Sequence, residues 1–239
     1  MNADPHWMTA PRLRQISILA VAVYGMAFVH WLWQWQSGEY AYFPAALDFI
    51  AYWTAAGMAL AGHAAAAYDL DVFVAAQHLA VPEVQALLTW QYPPTFHLLL
   101  MPLALLPYLG SYLLFTISTL AAYIAVAVRI VPAGTSLFLL LAMPGVFRNA
   151  TFGQNGFLTA ALIGAGLLLL PARPLLAGFS FGLLSIKPQL ALLVPVALIC
   201  SRQWQALVMA AVTALGLLGL SQLVLGSDTL PAFIGSLAN

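Results

Sequence analysis

Apolar runs of bilayer-spanning length, broken by very few charges, constrain this chain more than any other feature. Of its 239 residues, 63% are hydrophobic and only 6% are charged, and the mean hydropathy is +0.94. So little charge cannot cover the surface of a water-soluble globule. With about 20 residues per span and one long hydrophilic loop set aside, the chain admits roughly seven or eight membrane segments, some of them short. The formal net charge is zero, so nothing points to nucleic acid as a partner. The single cysteine, Cys200, rules out an internal disulfide.

The first apolar run extends from Ile16 to about Trp35, and Arg12 and Arg14 precede it. Basic residues ahead of a span favour the cytoplasmic side. This is expected to place the N-terminus inside and the 36–91 loop outside, in an integral membrane protein. A cleaved signal peptide is the rival reading. Its apolar core would be too long, and Trp31, Trp33 and Trp35 resemble an interfacial aromatic belt rather than a cleavage site. A retained anchor is therefore expected.

Five of the seven acids, Glu39, Asp48, Asp69, Asp71 and Glu83, fall in this outer loop. From Asp48 onward the composition is helical, and Asp48 suits the cap position. Phe49, Trp53, Ala56 and Leu60 form an apolar stripe, while Asp48 and Tyr52 share another face four residues apart. The spacing predicts a helix lying on the outer membrane surface. A second helix is expected over 71–79, after a turn at Tyr68-Asp69. Asp69-Leu70-Asp71 has the form of the metal motif of nucleotide-sugar transferases, but no strands or nucleotide-binding domain accompany it. It reads as a turn aspartate followed by a cap. Tyr92-Pro93-Pro94 then closes the loop, since paired prolines cannot propagate a helix.

Six or seven further membrane segments are expected within 92–226, with apolar runs at about 95–108, 111–130, 135–147, 154–170, 174–186, 188–200 and 204–225. Breaks at Phe147 to Gly153 and at Lys187-Pro188 imply a cavity, because interrupted membrane helices persist only where protein or water satisfies the freed backbone. Asp48, Tyr92, Gln154 and Asn155 are expected to line that cavity at the outer boundary. Gln154 and Asn155 offer paired amide donors and acceptors, although Asn155 also fits an ordinary cap. Lys187 calls for an anionic partner, or else snorkels at a short turn. Arg148 either holds an anion or anchors a loop. His97 follows the proline pair and is the histidine closest to a site, and the others show no metal-ligand pattern. Ionisable groups near a bilayer are retained for function, which sets a chemical role for Asp48 beside the simpler one of a helix cap.

The order of Asp48-Phe49 with Tyr52-Trp53, Gly62, Tyr68-Asp69, Tyr92-Pro93-Pro94, Gly153-Gln154-Asn155-Gly156 and Lys187-Pro188 resembles glycosyltransferase family 87. The likeness spans about residues 16–205. It implies an all-α, polytopic, GT-C-like helical bundle with a helical first outer loop, in a single membrane domain over 1–239. Family members carry further membrane helices, so the chain corresponds to the N-terminal part of that fold. The resemblance further implies transfer of a hexose, such as mannose, from a polyprenyl-phosphate sugar to a lipid or glycan acceptor. Asp48 would be the catalytic base, with Tyr52, Tyr92, His97, Arg148, Gln154, Asn155 and Lys187 as substrate-binding residues and no cofactor. Two other classes compete: a transporter-like protein, which would also show broken helices, and a non-catalytic scaffold.

Overall fold

Helix is the only regular structure among the residues that the computed structural model describes, namely 9–37, 47–81, 88–132 and 137–238, with the side chains of Trp35, Gln36 and Leu47 excepted. The chain is thus all-α, as its composition requires. Asp4, Glu39 and Glu83 lie outside the described residues.

Helix α1 (Ala10–Ser37) begins ahead of the apolar run, so Arg12 and Arg14 sit within it rather than before it. Pro11 falls in the first turn, where its missing N–H leaves no helical bond unmade. Tyr24 stacks on Phe147 at 4.5 Å and Trp31 meets Tyr112 edge-on at 5.5 Å. Trp31 is therefore a core residue rather than part of a lipid-facing belt, whereas Trp33 is exposed.

The outer-loop helix differs most from expectation. Helix α2 (Leu47–Leu60) starts one residue before Asp48, which lies in its first turn instead of capping it. A carboxylate there still complements the positive helix end. The helix is not amphipathic either, because Phe49, Ile50, Ala51, Tyr52, Ala55, Ala56 and Ala59 are all buried, and Leu60 of the expected stripe is exposed. Its alanines present little bulk, so neighbours approach on several sides. A 3₁₀ turn (Ala64–Tyr68) leads to α3 (Leu70–Ala80). The cap of α3 is Asp69, whose carboxylate accepts from the Val72 N–H at 3.1 Å, and Asp71 sits in the first turn.

Pro94 opens α4 (Pro94–Leu100) at a position that suits proline, and α5 (Tyr108–Ile130) follows. The run at 135–147 is split at Met143-Pro144 into α6 (Leu137–Leu141) and α7 (Pro144–Phe152). Next come α8 (Gly156–Leu169), α9 (Pro174–Leu183), α10 (Pro188–Ala191), α11 (Leu193–Cys200) and α12 (Trp204–Leu225). A further short helix, α13 (Thr229–Ser236), was not expected; its Phe233 packs against Tyr68 at 5.7 Å. Among the described residues, three helices are long and apolar enough to cross a membrane: Ala10–Gln34, Tyr108–Ile130 and Trp204–Leu225.

Packing divides into two regions. Around α2 the core is aromatic, with Phe49 and Tyr52 enclosed by Trp90, Phe96, Tyr108, Tyr112 and Phe115. Around α9 it is mostly aliphatic, with Phe181 among Ala177, Leu184, Leu198 and Ala206. There α9 lies so close to α12 that a Cβ on Gly178 would come within 2.3 Å of the Ala206 carbonyl oxygen, and one on Gly182 within 2.5 Å of the Thr213 Cβ.

Candidate active site

The site forms where these two regions meet. Asp48 is half-buried, whereas the other described acids, Asp69, Asp71 and Asp228, are exposed. Likewise Lys187 is half-buried while all six arginines are exposed. An acid and a base withheld from solvent in so apolar a chain need partners. They find them in the same place.

The α7–α8 turn supplies the amides. Gly153 ends α7 in the left-handed region at φ 66°, its N–H bonds to the Ala150 carbonyl at 3.2 Å, and the Gln154 N–H reaches the Asn149 carbonyl at 3.0 Å. This is the Schellman pattern, for which glycine is the preferred residue. Glycine is required on a second count, because a Cβ there would lie 2.6 Å from the Phe49 Cβ. Asn149 Nδ2 also donates to the Gln154 carbonyl at 3.0 Å, clamping the turn from its other side. Held so, Gln154 Nε2 donates to Asp48 Oδ2.

Lys187 is placed by the residue after it. A residue before proline is driven out of the helical region, and Lys187 has φ −140° and ψ 78° between a 3₁₀ turn (Leu184–Ile186) and α10. Its ammonium donates to Asn155 Oδ1 at 3.1 Å. Asn155 is completely buried and makes no side-chain cap to α8, so the capping alternative does not hold. Its Nδ2 lies beside the Tyr92 hydroxyl but makes no well-formed hydrogen bond. A buried amide donor in that condition is costly.

Tyr52 and Tyr92 complete the cluster, with their hydroxyls 2.8 Å apart. Tyr92 is fixed through its backbone, whose carbonyl accepts from the Tyr68 hydroxyl at 2.8 Å. Burial raises both phenols above their ordinary range, and the nearby Asp48 carboxylate adds to the effect as a smaller cause. Both therefore remain neutral hydroxyls that can donate and accept. Asp48 also lies within electrostatic reach of Lys187.

Two expected substrate contacts sit elsewhere. His97 is fully buried, with Nε2 2.7 Å from the Ala55 carbonyl and its ring 4.9 Å from Trp90. It ties α4 to α2 as a core histidine and offers no face to a ligand. Arg148 is exposed, with its guanidinium 5.1 Å from the centre of the Phe152 ring, and takes no part in the hydrogen-bonded cluster. Conversely, Asn149, which clamps the turn through its amide, is not among the residues to which the sequence points. The glycine four residues on, which ends a helix, was the available signal for its role. Among the described residues, no group of three or more His, Cys, Asp or Glu is placed to hold a metal ion.

The family model described as Glycosyltransferase family 87 matches residues 90–239. No curated protein and no solved structure matches the chain. The matched stretch contains Tyr92, Gln154, Asn155 and Lys187 and runs beyond the expected limit near 205, while Asp48 and Tyr52 precede it. A match over more than half of its length, in a helical chain with membrane-spanning segments, establishes that the protein belongs to glycosyltransferase family 87.

Proposed function

We propose that this chain transfers a hexose, with mannose the leading candidate, from a polyprenyl-phosphate sugar to a lipid or glycan acceptor at the outer face of the bacterial plasma membrane. The N-terminus is cytoplasmic and the 36–91 loop extracytoplasmic. One observation carries the reading: among the described residues the only Asp or Glu and the only Lys or Arg not exposed, Asp48 and Lys187, converge on one polar cluster.

In this mechanism Asp48 takes the proton of the acceptor hydroxyl as that oxygen bonds to the anomeric carbon. The bond from the anomeric carbon to the phosphate oxygen breaks, its electron pair stays on the phosphate, and the configuration inverts. Lys187 offers its charge to the departing phosphate, and the Asn155 amide together with the Tyr52 and Tyr92 hydroxyls binds sugar oxygens. The donor's tail stays in the bilayer, so no nucleotide site is required. A positioned base contributes roughly 10²–10⁴-fold.

The test is transfer from radiolabelled polyprenyl-phosphate mannose in membranes. Asp48→Asn keeps size and removes the base, so turnover should collapse while folding and donor binding persist. Transfer by that variant at the wild-type rate removes the general-base assignment. Donor binding without transfer by any form of the chain would replace the enzyme with a lipid-sugar-binding scaffold.

A further inference from the structure

From the geometry of the α7–α8 turn we infer that Gln154 is a positioning residue, which aims the Asp48 carboxylate rather than contacting substrate. The inference rests on the reading of Asp48 as the base. The Gln154 side chain already spends an amide hydrogen on Asp48 Oδ2, which directs proton acceptance to Oδ1, the carboxylate oxygen with no hydrogen bond among the described residues. A carboxylate in the first turn of a helix has rotational freedom about its side chain, and a base misplaced by about 1 Å can cost on the order of 10²-fold in rate. One hydrogen bond from a rigid donor removes that freedom.

The donor is rigid for reasons visible in its surroundings. The Gln154 backbone is bonded at both ends to Asn149, through its N–H to the Asn149 carbonyl and through its carbonyl to Asn149 Nδ2, each at 3.0 Å. Helix α7 is in turn held by the Tyr112 hydroxyl, which donates to the Ala150 carbonyl at 2.6 Å. Gly153 lets this assembly rest directly on Phe49, the residue next to Asp48. Chain separation makes the arrangement informative, because donor and acceptor are 106 positions apart. Nothing local enforces it. The groups that face Asp48 are Tyr52 on its own helix, Tyr92 ahead of α4, Gln154 on the turn and Lys187 ahead of α10.

Kinetics of the full chain in membranes separate positioning from substrate contact. In Gln154→Leu, kcat should fall about 10–100-fold while KM for donor and acceptor stays within about two-fold, the signature of a lost transition-state interaction. A rise in KM at unchanged kcat would make Gln154 a substrate contact and overturn the inference. So would wild-type behaviour in both constants. Gln154→Glu preserves shape and guards against a folding failure in the leucine variant. It sets a second carboxyl against Asp48, the two then compete for a proton, and the acid limb of the pH–rate profile should move upward by about one unit or more. An unmoved profile overturns the proposal. If Asp48→Asn is inactive while both Gln154 variants behave as wild type, only the positioning role is lost. If Asp48→Asn is active, the reading beneath it falls instead.

Discussion

The region around α2 and the region around α9 pack by opposite means. The first fills space with rings: Phe49 lies within 5.6 Å of both Tyr112 and Phe115, and Tyr52 within 5.2 Å of Phe96. The second removes side chains altogether at Gly178 and Gly182, so that helix backbones touch, as is common where helices pack inside a bilayer. Aromatic packing leaves room for hydroxyls and a carboxylate at its margin, whereas glycine packing leaves none. The acid and the phenols accordingly come largely from the first region. The amides and the lysine come from breaks between helices of the second. The family match covers the second region and the rings of α4 and α5 but starts beyond α2, so Asp48 and Tyr52 lie outside the matched stretch.

Substitutions in the two regions should fail differently. The largest loss is expected for Phe49→Ala, which empties the centre of the aromatic core and should cost about 3–5 kcal/mol. Thermal unfolding in detergent would measure it, and a small change would mean the ring cluster is loosely packed. Next is Gly178→Val, where overpacking against the Ala206 backbone should cost about 3 kcal/mol and separate α9 from α12. A cysteine cross-link between those helices should then weaken.

Tyr52→Phe should cost about 1 kcal/mol through the lost hydroxyl pair. Its pH dependence is the sharper readout. The folded-state pKa of Tyr52 is raised well above 10 by burial. That contribution is therefore fully present below the unfolded-state pKa near 10 and is lost as pH climbs beyond it. Melting temperatures should drop above about pH 10 in the wild type, and less steeply in Tyr52→Phe. Smallest of all is Gly216→Ala on α12, where an added methyl meets nothing within 4 Å. It should be neutral or stabilising by about 0.5–1 kcal/mol, in contrast to Gly178 on the neighbouring helix.

Much of this was legible in the sequence. Sparse charge and long apolar runs announce a helical membrane protein, and Gly153 and Pro188 mark the breaks from which Gln154, Asn155 and Lys187 reach the site. What escaped is the burial of α2. A stripe of large residues suggested one covered face, but the alanines between them also pack, and the rings that enclose Phe49 come from α5, far along the chain. The same distance hid the Asp48–Gln154 bond. His97 misled for the opposite reason: its place beside two prolines suggested a site, while its ring is buried against the Ala55 carbonyl and Trp90. Sequence spacing cannot distinguish a polar group that serves the core from one that serves a ligand.

Labour is divided across the site between proton removal and donor binding, and single-turnover transfer from pre-bound polyprenyl-phosphate mannose separates the two. With acceptor added to the donor complex, Asp48→Asn should slow the transfer step by about 10²–10⁴-fold with donor affinity unchanged. Lys187→Gln should instead weaken donor binding and affect the step less at saturation. A wild-type transfer rate in Asp48→Asn, measured with donor bound, would contradict the account.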